Sequence, residues 1–139
     1  MAYNFFLFYL INTKQMKVTL VITTYNWPEA LKLVLESITN QSVLPNEVVI
    51  ADDGSSQETY DLIKSFNLTS DINILHSWQE DDGFRVARSR NKAILKASGD
   101  YIILIDGDSI LHPHFIKDHI YNAESGYFVQ ASRGLFSEN

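Results

Sequence analysis

Gly99-Asp100-Tyr101-Ile102-Ile103-Leu104-Ile105-Asp106-Gly107-Asp108 is the segment that decides how this 139-residue chain folds. Tyr101 to Ile105 is an unbroken apolar run, short and β-branched, as expected of a strand buried on both faces. It stops at two carboxylates separated by one glycine. In an open parallel α/β sheet, ligands bind in the crevice beyond the carboxyl ends of the strands. An apolar strand ending in Asp-Gly-Asp therefore carries two hard oxygen donors to that crevice. Carboxylates so close repel one another unless a cation lies beside them, and Mg²⁺ or Mn²⁺ carrying a diphosphate suits such donors. Asp-Gly-Asp also reads as an ordinary turn, since all three residues favour turns.

Upstream, the same pattern recurs. Lys17 to Thr23 reads as a buried first strand, broken by Thr24-Tyr25-Asn26-Trp27-Pro28. Pro28 suits the first turn of a helix capped near Asn26 or Trp27, with Ala30, Leu31, Val34, Leu35 and Ile38 at helical spacing. Glu47 to Ala51 reads as a second strand, followed by Asp52-Asp53-Gly54-Ser55-Ser56 and a helix over Glu58 to Phe66. Asn73 to His76 reads as a third strand, and the stretch from Trp78 to Phe84 as a polar loop. A helix over Val86 to Lys96 closes at Ser98-Gly99, where glycine commonly ends a helix. Downstream, Pro113 opens a short helix with Phe115, Ile116, His119 and Ile120 on one face. Tyr127 to Ala131 reads as a last strand. Strand–helix alternation of this kind implies an α/β fold with a doubly wound, mostly parallel sheet.

Composition narrows the function classes. A net charge of −6 speaks against a nucleic-acid-binding surface, and the lack of cysteine removes thiolate chemistry and disulfides. The lack of cysteine suits a cytoplasmic protein, the location expected here, with a peripheral position at the inner face of the membrane as the variant of it, although the net charge speaks against an anionic-membrane surface. The apolar segment Asn4 to Ile11 is far short of a membrane span, and residues 1–15 are expected to form an appendage to a domain over residues 16–139. No glycine-rich dinucleotide fingerprint, phosphate-binding loop or nucleophile elbow is present.

Three strand ends converging on one sheet edge make a site. Tyr25 offers a stacking ring, Thr23 a hydroxyl, and Asp53 or Asp52 an acceptor for an imide N–H or a ribose hydroxyl. Asp106 and Asp108 offer ribose and metal ligands. Arg85, Arg88, Arg90 and Lys92 put four cations in eight residues of an acidic chain. Most of them read as a solvated face pairing with Glu80, Asp81 and Asp82, while Arg90 points elsewhere and is a candidate for phosphate. His76 and His119 read as structural, and His112 and His114 as loop-surface residues.

These motifs, in this order, resemble the family 2 glycosyltransferases of GT-A fold. The matching pieces are Val18 to Asn26, Leu35 to Ile38 with Gln41-Ser42, Pro45 to Ser55, Arg90 to Ile94, and Gly99 to Asp108. The stretch Trp78 to Arg85 further resembles the branch that includes bacterial chondroitin polymerases and surface-polysaccharide transferases. The resemblance implies inverting transfer of a sugar from a nucleoside diphosphate sugar, uridine-linked by expectation, to a hydroxyl on a glycan or lipid-linked acceptor. It implies that Thr23, Tyr25 and Asp53 bind the nucleotide with Asp52 close by, and that Arg90 and Asp106 also face it. Asp106 and Asp108 match the Asp-x-Asp motif that holds Mn²⁺ or Mg²⁺. Family members take their catalytic base from a later half of the domain. Asp118, Glu124 and Glu138 lie in no matching motif, so no base is assigned. The chain is therefore expected to be a donor-binding half that exposes apolar surface and self-associates through it. Two other functions fit the residues: a metal-dependent nucleotidyltransferase, and a non-catalytic nucleotide-binding or interaction fragment.

Overall fold

The computed structural model describes residues 16–132 and 134; the expected appendage over 1–15, residue 133 and residues 135–139 lie outside it. Four strands, β1 (Val18–Thr24), β2 (Glu47–Asp52), β3 (Ile74–Trp78) and β4 (Tyr101–Asp106), form one sheet in the order β3-β2-β1-β4. Every pairing is parallel. Helices α1 (Pro28–Thr39), α2 (Gln57–Thr69), α3 (Val86–Lys96) and α4 (Phe115–Asn122) alternate with them.

Strand order explains the layering. The chain moves outward from β1 to β2 to β3, and right-handed crossovers place α1 and α2 on one face. It then returns past β1 to β4, a reversal of direction, so the same handedness puts α3 on the opposite face. Two cores result. Leu20, Ile22, Val48, Ile50 and Ile103 pack with Leu31, Val34, Leu35 and Ile38 of α1, with Ile63 of α2 and with Ile116 of α4. Val21, Val49 and Ala51 pack against Ala93 of α3. Each fully buried Leu, Ile or Val contributes about 1.5–3 kcal/mol. The reversal point between β1 and β4 is where such sheets open a crevice for ligands.

Several expectations change here. β4, expected to be buried on both faces, is an edge strand among the described residues: Leu104 is 48% exposed, whereas β1 and β2 are buried throughout. An apolar run reports what a strand can bury, not what lies beside it. β3 extends through Trp78, which had been expected in the following loop. Residues 127–131 form no strand, and Tyr127 and Phe128 are 74% and 84% exposed, because no strand among the described residues offers them a ladder. Gly99 is not a left-handed helix cap: α3 ends at Ala97 in extended backbone. Its glycine is needed because a Cβ would stand 2.6 Å from Thr19 Oγ1 and 2.8 Å from the Thr19 nitrogen.

The floor of the sheet is locked by Glu47, which is buried and accepts from Thr19 Oγ1 at 2.6 Å and from the Ser98 N–H at 2.5 Å. Burial alone would raise its pKa, but these bonds outweigh it and hold the carboxyl below the usual range. His119 is structural as expected. It is buried beside Tyr101, whose hydroxyl lies 3.2 Å from Nδ1, and burial lowers its pKa against the pull of Asp118.

Candidate nucleotide and metal site

The register of the sheet brings three motifs level. Thr23 lies opposite Asp106 across β1 and β4, and Thr24 lies opposite Asp52 across β1 and β2. Past the strand ends, the Asp53 N–H donates to the Thr24 carbonyl at 3.0 Å. Thr23, Tyr25, Asp53 and Asp106 therefore gather at one edge, as the alternation of elements predicts.

Asp52 behaves differently from the expectation. It is fully buried and turned inward. Its Oδ1 accepts the Gly54 and Ser55 N–H groups at 3.2 and 2.8 Å, and its Oδ2 lies 2.8 Å from His76 Nε2. Burial pushes its pKa up, yet the bonds from His76 and Ser55 prevail and keep it below the usual carboxylate value. Asp52 shapes the loop, with both oxygens engaged by His76, Gly54 and Ser55.

Asp53 is buried as well, 5% exposed, and is braced by a segment not foreseen as part of the site. Gln79 Nε2 donates to Asp53 Oδ1 at 2.5 Å, and the Arg85 N–H donates to Oδ2 at 2.7 Å. Between them, the Tyr25 hydroxyl donates to Asp81 Oδ2 at 2.9 Å, which raises the tyrosine pKa by stabilising its protonated form. The strap from Gln79 to Arg85 thus holds both the candidate base-stacking ring and the candidate base-reading carboxylate. Arg85 pairs with Asp82, as the solvated-face reading anticipated. Trp78 anchors the root of the strap by donating its indole N–H to the Ser55 carbonyl at 3.1 Å. Asn26 joins the loops from the other side. It adopts φ 45°, receives nothing from α1, and accepts the Ser56 N–H at 2.8 Å while its own N–H reaches Ser55 Oγ at 2.9 Å. The only sequence signal for this strap was the resemblance of Trp78 to Arg85 to one branch of the family; no spacing rule finds it.

At the metal end, Asp106 accepts from Thr23 Oγ1 at 3.2 Å and from Arg90 at 3.3 Å, so the singled-out arginine does reach the acidic motif. Asp106 and Asp108 both face solvent. Two exposed carboxylates are hard oxygen donors that fit Mg²⁺ or Mn²⁺, and among the described residues no third histidine or carboxylate joins them. Such a pair fits a cation whose remaining positions are filled by phosphate oxygens and water, the usual habit of Mg²⁺. Gly107 between them is forced by contact: a Cβ there would run into the Thr23 carbonyl oxygen. Gly107→Ala should push the end of β4 off β1, costing about 1–3 kcal/mol by overpacking. Urea unfolding should show that loss. His112 and His114 sit on the surface as expected, their rings 5.5 Å apart and His114 Nδ1 2.9 Å from Ser42 Oγ.

Known proteins share both sequence and fold. The hyaluronan synthase of Pasteurella multocida is 33% identical over 107 residues, 76% of this chain and 11% of that protein. The chondroitin synthase of Escherichia coli is 29% identical over 103 residues, 73% of this chain and 15% of that protein. Among solved structures, a mannosyltransferase from Pyrobaculum calidifontis in complex with GDP-Man and Mn²⁺ superposes with a TM-score of 0.70 at 23% identity, covering 81% of this chain and 34% of that one. Staphylococcus aureus TarS in complex with UDP-GlcNAc gives 0.64 at 22% identity, covering 84% and 38%. The chain spans less than half the length of these relatives. Residues 19–139 match the sequence pattern of glycosyl transferase family 2, and the chain belongs to that family.

Proposed function

We propose that this chain binds a nucleoside diphosphate sugar, uridine-linked, together with Mn²⁺ or Mg²⁺, as the donor side of an inverting sugar transfer to a glycan or lipid-linked acceptor. The observation that carries this is the convergence of Tyr25, Asp53, Asp106 and Asp108 at the reversal point of the sheet, with Arg90 on Asp106. Structures of the same fold hold UDP-GlcNAc, or GDP-Man with Mn²⁺, which supports the ligand class. Tyr25 would stack the base while Asp53, held still by Gln79 and Arg85, accepts its imide N–H. Thr23 and Arg90 fix Asp106 for the ribose and the diphosphate. Asp106 and Asp108 would hold the cation, which when bound supplies Lewis-acid stabilisation of the leaving diphosphate.

In the transfer itself, the acceptor oxygen forms a bond to the anomeric carbon as the bond from that carbon to the β-phosphate oxygen breaks. The electron pair leaves with the diphosphate, the acceptor proton passes to a carboxylate base, and the configuration inverts. None of the described residues is assigned as that base. Since nucleotide sugars are cytoplasmic substrates, the proposal places the protein in the cytoplasm or at the inner face of the membrane. Among the described residues, no helix is long and apolar enough to cross one. Leu104 on the edge strand β4 is 48% exposed and would support self-association, measurable by sedimentation.

Isothermal titration of the 139-residue chain with UDP, with and without Mn²⁺, tests the proposal. UDP should bind in a Mn²⁺-dependent manner, and Asp108→Ala, measured where thermal unfolding shows it folded, should lower that affinity about tenfold or more. Binding that ignores Mn²⁺, or survives Asp108→Ala intact, rules the metal-assisted donor site out.

A further inference from the structure

Arg90 reaches from α3 to Asp106, its Nη2 standing 3.3 Å from Oδ1, the oxygen that also accepts from Thr23 Oγ1 at 3.2 Å. Of the four cations between Arg85 and Lys92, Arg85 is turned to Asp82, whereas Arg90 is turned to the acidic pair. As a structural bond the contact is poor. Charge-assisted N–H···O bonds run at about 2.7–2.9 Å, and an arginine serving strength commonly grips a carboxylate with two nitrogens. Here the contact is long, and the two side chains are 34% and 53% exposed, so the pair adds little to stability. Arg90 Nε, meanwhile, is buried with no hydrogen-bond partner among the described residues. A buried N–H left without an acceptor costs free energy.

The side chain therefore leaves a buried donor unsatisfied while making a weak bond, and folding gains little from the exchange. What the arrangement secures is a fixed positive charge on Asp106, two residues from Asp108. Arginine keeps that charge at any working pH. Carboxylates that face solvent grip a bare ion loosely, so a modest repulsion from a neighbouring cation decides whether the ion stays. The same guanidinium attracts phosphate oxygens. Arg90 thus opposes a divalent cation that arrives alone and favours one whose charge is covered by a diphosphate.

We infer that Arg90 is an electrostatic filter on the acidic pair: it rejects a bare divalent cation and admits the cation as a complex with the nucleoside diphosphate. This rests on the donor reading above, which supplies the diphosphate. Arg90 is a specificity residue in this role, acting through its charge beside Asp106 and not on the reacting atoms. Linkage makes the effect reciprocal, so the nucleotide tightens the cation as much as the cation tightens the nucleotide. The plainer alternative is a brace that only fixes the rotamer of Asp106. It predicts the opposite sign on removal of Arg90, because a loosened carboxylate binds every cation less well.

Binding of Mn²⁺ alone to the 139-residue chain, counted by the electron paramagnetic resonance signal of the free ion, tests the filter. Arg90→Gln should bind bare Mn²⁺ about tenfold more tightly than the parent, a gain that lost packing cannot produce. Arg90→Lys keeps the positive charge and should bind bare Mn²⁺ at least about threefold more weakly than Arg90→Gln. The gain should vanish in the double variant Arg90→Gln/Asp108→Ala, which assigns it to the acidic pair and not to other carboxylates of an acidic chain. Calorimetry with the preformed Mn²⁺–UDP complex supplies the other half. Arg90→Gln should bind that complex no more tightly than the parent, so its preference for the complex over the bare ion falls about tenfold or more. The inference is overturned if Arg90→Gln leaves bare Mn²⁺ binding unchanged or weaker, if Arg90→Lys gains as much as Arg90→Gln, or if the gain survives in the double variant. Should the parent bind Mn²⁺–UDP through Asp108 while Arg90→Gln shows no gain for the bare ion, the filter alone fails. Should the parent not bind Mn²⁺–UDP, the donor reading fails and the filter with it, and a gain in Arg90→Gln then marks only a cation site beside an arginine.

Discussion

Asp52→Ala should cost the protein about 3–5 kcal/mol, a large part of the 5–15 kcal/mol that holds a domain of this size. The side chain is fully buried, and its loss strands the Gly54 and Ser55 N–H groups and the His76 ring together. Asp52→Asn retains an oxygen for the two N–H groups and should cost only about 1 kcal/mol. Urea unfolding at neutral pH measures both. The pH dependence follows from the sign of the shift. The folded pKa of Asp52 lies below its unfolded value of about 3.9, so the folded state favours the carboxylate. The associated stability is complete above that unfolded value and disappears as pH falls through the lower folded one. Glu47 is lowered too and adds to the same acid limb. Asp52→Asn should therefore flatten unfolding free energy against pH below about pH 4, leaving the part that belongs to Glu47. An unaltered acid limb in Asp52→Asn would mean the buried carboxylate is not what acid attacks.

The second large effect is at Gly54. Its φ is 101°, and a Cβ there would stand 2.5 Å from the Asp81 Cα and 2.7 Å from the Asp81 nitrogen. Gly54→Ala meets both a conformational penalty of about 1–2 kcal/mol and a backbone collision of about 1–3 kcal/mol. To relieve the collision, the strap must lift, taking Gln79 and the Arg85 N–H from Asp53 and Asp81 from Tyr25. Affinity for UDP with Mn²⁺ should fall about tenfold or more even at temperatures where the variant is fully folded. Gly83→Ala is the matched control. Its φ is 77° but a Cβ would meet nothing within 4 Å, so it carries the strain without the collision. Gly83→Ala should lose about 1–2 kcal/mol and keep nucleotide affinity close to the parent's. Equal losses of affinity in the two variants would show that strain alone, not displacement of the strap, controls the site.

Much of this molecule is readable from local chemistry. Apolar runs of strand length, each ending in polar residues and followed by helical spacing, suffice for a parallel α/β sheet with its site at the strand ends. Asp106, Asp108, Tyr25 and Asp53 were identifiable as candidates this way, because a residue's place along a strand sets which end of the sheet it reaches, whereas Arg90, in α3, stood out only from the cluster of cations and the resemblance. What local chemistry does not carry is the direction in which a side chain is finally spent. Asp52 and Asp53 are adjacent, chemically identical and both buried, yet one is spent on His76, Gly54 and Ser55 while the other holds Gln79 and the Arg85 N–H of the strap. The strap from Gln79 to Arg85 reads as a polar loop until β3 and α3 fold it back over Asp53 and Tyr25. Likewise β4 is as apolar as β1 but stands at the edge, since apolar content is a property of one strand and neighbourhood a property of the whole sheet. The period and the ends of the elements are set by interactions within a few residues of each other. Asp53–Gln79, Tyr25–Asp81 and Thr23–Asp106 join residues 26, 56 and 83 positions apart, and such partners are chosen only when the sheet assembles.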